Sequence, residues 1–123
     1  MRYDITLFSV AILMLLCGEA FGIYMGVIHD FVLAPAHAHW NLVGWVTLTL
    51  YGLLHRSYPA LAQSKLAPIQ MWLAILGAIA FPIGIGYSII TENPILAIIA
   101  SFVVLTGTLL FAVMFFTKAT AKA

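Results

Sequence analysis

Four apolar runs, at about residues 5–28, 34–55, 68–90 and 94–117, take up most of the sequence. Each is close to the roughly 20 residues that carry a helix across about 30 Å of hydrocarbon. In lipid every backbone polar group must be satisfied inside its own segment, so each run is predicted to be helical. The expected fold class is all-α, an integral membrane bundle of four transmembrane helices forming a single domain over residues 1–123. The connections at 29–34, at 56–67 with Pro59, and at 91–93 before Pro94 are short and hold turn or breaker residues, which makes successive helices antiparallel neighbours. Pro82 with Gly84 and Gly86 is expected to kink or loosen the third helix.

Composition points the same way. With 64% hydrophobic and 7% charged residues, against roughly 45–50% and about 25% in an average soluble domain, the chain lacks the polar inventory for a water-facing surface. A net charge of +1 supplies no basic field for nucleic acid, and the lipid bilayer is the expected partner. Cys17 is the single cysteine, so no intrachain disulfide and no CxxC signature exist. Met1 and Arg2 before the first run resemble the start of a signal peptide. The run is too long for such a segment, carries Glu19 in its middle and lacks an A-x-A site, so it is predicted to be a retained spanning helix.

Arg2, Arg56, Lys65, Lys118 and Lys122 fall at the N-terminus, the second connection and the C-terminus. These lie on one side of a four-span protein, and the other two connections carry no Lys or Arg. By the positive-inside rule both termini are expected to be cytoplasmic, in a setting such as a bacterial inner membrane. His29, Asp30, His37 and His39 then sit at the outer face and His55 at the inner face.

Glu19 is the one carboxylate deep in a span, roughly 15 Å below the outer end of the first helix. It either marks a functional path such as a proton relay or is a protonated structural group. Gly18, Gly22 and Gly26 form a stripe of small residues that His29 continues. Either the stripe is a close helix contact, or it is a smooth shelf for a flat ring beneath His29.

The second helix carries more. At roughly 100° per residue, His37 and His39 leave a regular helix on nearly opposite sides and cannot share a metal through one face. Either each ligates a different centre, or His37 acts from a frayed first turn after Pro35. His37, Asn41, Gly44, Tyr51 and His55 return close to one angle, a polar seam through an apolar helix. Neutral imidazole is the commonest ligand for iron, copper and zinc, so an outer cluster of three histidines above an asparagine points to a metal or metal cofactor.

The stretch His37-Ala38-His39-Trp40-Asn41-Leu42-Val43-Gly44-Trp45 has the pattern H-x-H-x-x-x-x-G-W. It resembles the helix of the heme-copper oxidase catalytic subunit, especially in C-type enzymes, that carries axial histidines for both hemes. The likeness covers about 25 residues, from Pro35 to Pro59. It implies that His37 ligates a high-spin heme and His39 a low-spin heme on the other side of the helix. The oxidase subunit has about twelve helices and three further histidines for copper, which this chain cannot supply, so a complete oxygen reductase is excluded within one chain.

The leading expectation is thus a small b-type cytochrome of the membrane, forming homo-oligomers. It would bind heme b near the outer face for electron transfer with a redox partner protein or for binding a diatomic gas. His37, His39 and His29 are the expected iron ligands, lined by Asn41, Gly22, Gly44 and Trp45; no catalytic residue is assigned. A second expectation places copper or zinc at His29, His37 and His39. A third, resembling the small multidrug transporters, is a proton-coupled exporter using Glu19. Topology is tested by a C-terminal alkaline phosphatase fusion, which is expected to be inactive; an active fusion contradicts the orientation.

Overall fold

The structure, a computed structural model, describes residues 1–121; Lys122, one of the basic residues used for orientation, lies outside the described residues. Helix α1, Tyr3–Ile28, runs uninterrupted for 26 residues. It stops where His29 takes a left-handed conformation (φ 52°) and donates its backbone N–H to the Met25 carbonyl. The Asp30 carboxylate then accepts from the Val32 N–H at 3.0 Å, closing the short turn.

The second run is built from three consecutive pieces: α2, Ala34–His39, a π-helical segment, Trp40–Val46, and α3, Thr47–Ser57. Of 6, 7 and 11 residues, they follow one another without a gap and form one rod about 35 Å long at roughly 1.5 Å per residue. Pro35 sits in the first turn, where its missing N–H costs nothing. The His37 N–H bonds the Leu33 carbonyl at 3.0 Å, so the first turn is closed and not frayed. The Thr47 hydroxyl donates to the Leu42 carbonyl at 2.8 Å, satisfying an acceptor inside the π-helical segment.

A 3-10 turn, Pro59–Gln63, leads to α4, Ala67–Thr91, and α5, Ile95–Met114, which continues as a π-helical segment, Phe115–Ala119. The turn between α4 and α5 uses Glu92 at φ 59° and Asn93, whose side-chain oxygen accepts from the Ile95 N–H at 3.1 Å. Three segments are long and apolar enough to cross a membrane: Tyr3–Ile28, Ala67–Thr91 and Ile95–Ala119. The rod is the fourth helical element of the bundle, and no strand occurs among the described residues.

Helix α4 stays helical through Pro82. Gly84 is a point of close approach: a Cβ there would lie 2.8 Å from the Ala97 backbone of α5. Such backbone contacts replace the hydrophobic driving force that lipid removes. The contiguous core is gathered toward the basic end, around Leu7, Leu48, Leu61, Met71 and Met114. At the histidine end, Met25, Ala36 and Ala100 are buried outside that cluster.

Gly84→Leu is expected to lower stability by about 1–3 kcal/mol, because the α5 backbone cannot give way. Gly26→Leu, where a Cβ would meet nothing within 4 Å, is expected to stay within about 0.5 kcal/mol. Thermal unfolding in detergent separates the two, and equal losses contradict the packing described.

Candidate functional site

α1 lies against the rod in an antiparallel seam. Cβ atoms built on Gly22 and Gly18 would come within 2.9 Å of the His37 ring and 2.5 Å of Asn41 Oδ1. Farther along, Gly44 meets Met14 and Gly52 meets Phe8. The glycine stripe is therefore a contact surface whose partners are His37 and Asn41. Gly26 takes no part in it, and His29, exposed beyond the last turn, does not continue it.

His37 and His39 leave the rod in different directions, as their spacing requires. His37 faces α1, edge-on to Phe21 at 6.0 Å, and His39 faces α4, edge-on to Phe81 at 5.2 Å. Their hydrogen bonding differs too. His39 Nδ1 lies 2.8 Å from the Pro35 carbonyl oxygen. A carbonyl only accepts, so Nδ1 carries a proton, which leaves Nε2 as the ring nitrogen that a metal could take. The Asn41 amide donates to the His37 carbonyl at 3.0 Å and approaches His37 Nε2 at 3.5 Å. His37 Nδ1 is buried without a partner.

Two openings flank the seam at this end. One, of about 640 Å³, is open and lined by Leu15, Glu19, Gly22, Ile23, His37 and Asn41. Glu19 is exposed on the flank of α1 beside His37 and is not enclosed by the bundle. The other, of about 310 Å³, is apolar and lies between α1, α2 and α4, with Cys17, Phe21, Trp40 and Pro82 in its wall.

The expected polar seam divides at the π-helical segment, because its wider turn breaks the regular angle between residues. His37, Asn41 and Gly44 face α1, whereas the Tyr51 hydroxyl lies 3.1 Å from Thr108 on α5 and its ring tilts on Phe111. His55 is packed between Tyr3 and Phe111 at the basic end. Trp45 packs against the core cluster. Among the described residues no group of three or more His, Cys, Asp or Glu is placed to hold a metal ion, so one chain does not gather His29, His37 and His39.

Sequence reasoning missed Trp40. Its indole N–H donates to the Met14 carbonyl of α1 at 2.8 Å, tying the two helices where the π-helical segment starts. The signal was available: an indole N–H in an apolar span must find an acceptor. Trp40→Phe keeps most of the packing and is expected to cost about 1 kcal/mol of helix association. Denaturation of the variant in mixed micelles checks it, and an unchanged midpoint contradicts a structural role for this bond.

Compared with protein-family models, curated proteins and solved structures, the chain matches none.

Proposed function

We propose that this is a membrane heme protein of the b type, with His39 as an axial ligand at the end of the bundle opposite the basic residues. The observation that carries the reading is the 2.8 Å contact of His39 Nδ1 with the Pro35 carbonyl. Such a backbone acceptor fixes the tautomer and orientation of a ligating imidazole and raises its basicity. The H-x-H-x-x-x-x-G-W resemblance supports it, as does the position of a π-helical segment directly after His39, since such segments are frequent at functional sites.

Heme would supply one-electron chemistry or a site for a diatomic gas. The chain's own residues hold the imidazoles apart: His39 toward α4, His37 toward α1 and the cleft with Glu19 and Asn41. His29, or a histidine of a second copy of the chain, would supply the iron with a second ligand and make it a low-spin electron carrier; with His39 alone it would bind a diatomic gas. Attachment is noncovalent, because the sequence contains no CxxCH. Copper or zinc at the three outer histidines would need ligands from another copy.

Heme content of protein expressed with ample heme tests the ligands. His39→Ala is expected to lose the low-spin bis-histidine spectrum while remaining folded, because this helix end contributes little to the core. His37→Ala is expected to alter a distinct spectral component, and His55→Ala to keep the wild-type spectrum. Full retention in both His37→Ala and His39→Ala, with loss in His55→Ala, overturns the reading and moves the cofactor to the opposite end.

A further inference from the structure

At the basic end a second site stands apart from the histidine pair. Asp4 accepts from two arginines: Arg2 through Nε at 3.0 Å and Nη2 at 2.9 Å, and Arg56 through Nε at 3.1 Å, with its Nη2 also 3.1 Å from Oδ2. Arg56 is further held with its guanidinium 5.1 Å above the Phe8 ring. One carboxylate thus fixes two guanidinium groups side by side and neutralises only one of their charges. Neither Nη1 group is spent on Asp4, and both arginine side chains are more than half exposed.

These residues line an opening of about 290 Å³ together with Tyr3 and His55. His55 is 5% exposed, yet neither of its ring nitrogens finds a hydrogen bond. A buried polar group left unpaired costs about 1–3 kcal/mol, so the site is incomplete as it stands. Its spare donors, two guanidinium edges and one imidazole N–H, lack an acceptor; the second ring nitrogen of a neutral imidazole is itself an acceptor and adds none, and the local charge is positive.

We infer that this pocket binds a phosphate oxyanion, the headgroup of an anionic phospholipid whose acyl chains run along the apolar flank of the bundle. The two fixed guanidinium groups, the net positive charge and the unpartnered His55 on one wall are the donor set that phosphate requires. Basic pockets between spanning helices at a membrane face take such headgroups. A free phosphate would satisfy the same donors, but it would lose the contribution of the acyl chains.

The test uses the whole protein in neutral detergent, titrated with phosphatidylglycerol, with phosphatidylcholine and with inorganic phosphate, and read as the rise in melting temperature. Phosphatidylglycerol is expected to stabilise it and phosphatidylcholine to leave it unchanged. Arg2→Gln, at an exposed position that leaves the fold intact, and His55→Phe, which keeps the aromatic packing, are each expected to weaken the effect by about tenfold or more in affinity. Lys65→Gln, outside the pocket, is expected to leave it unchanged. Stabilisation by inorganic phosphate that competes with the lipid keeps the oxyanion site and identifies free phosphate as its source. Equal stabilisation by both lipids, full stabilisation in both pocket variants, or an equal loss in Lys65→Gln overturns the proposal.

Discussion

Along α1, Gly22, Gly18, Met14 and Phe8 meet His37, Asn41, Gly44 and Gly52 of the rod in turn. This antiparallel seam fixes where every polar group of the histidine end can point. The glycines lie on α1 at the histidine end and on the rod toward the basic end, so each larger side chain rests against a glycine opposite it. In a bilayer the helices gain little from hiding apolar surface, and this close fit with the Trp40 indole bond to the Met14 carbonyl is what holds them. Because His37 is pressed against Gly22, it faces α1, and His39, two positions on, turns toward Phe81.

Packing is uneven along the bundle. At the basic end Leu7, Leu61, Met71 and Met114 make a dry core with Phe111 and Tyr51. At the other end the helices are separated by an apolar opening on one side of the rod and a polar cleft on the other. A scaffold that is firm at one end and open at the other suits a cofactor held by side chains of the first turns. It also leaves Glu19 exposed on the flank of α1, beside His37 and Asn41.

The helical class and three of the four expected spans were legible because length and hydropathy decide them before any packing detail; the second run, divided into α2, the π-helical segment and α3, contains no single helix of that length. The opposed directions of His37 and His39 followed from helical geometry alone. The π-helical segment was not legible, because no local pattern in Trp40–Val46 marks an extra residue in its turn, and it split the seam expected from His37 to His55. The close approach at Gly84 was not legible either, since a glycine near a proline gives no sign of the facing Ala97 backbone until α5 is in place. The pocket of Arg2, Asp4 and Arg56 joins residues 52 positions apart in sequence, a proximity no local pattern encodes. Among the histidines, it is the backbone acceptor on His39 and its absence on His37 that separate their chemistry, and sequence spacing treats the two alike.

The central proposal is that the rod presents His39 as an imidazole ligand to a heme held in the membrane. The most direct measurement is the optical spectrum of the wild-type protein purified from heme-replete cells, reduced and oxidised, with a pyridine hemochrome assay for heme type. The account predicts a Soret band, a reduced α-band of the b type and stoichiometric heme released by pyridine. A colourless, folded protein with no Soret absorbance would contradict it.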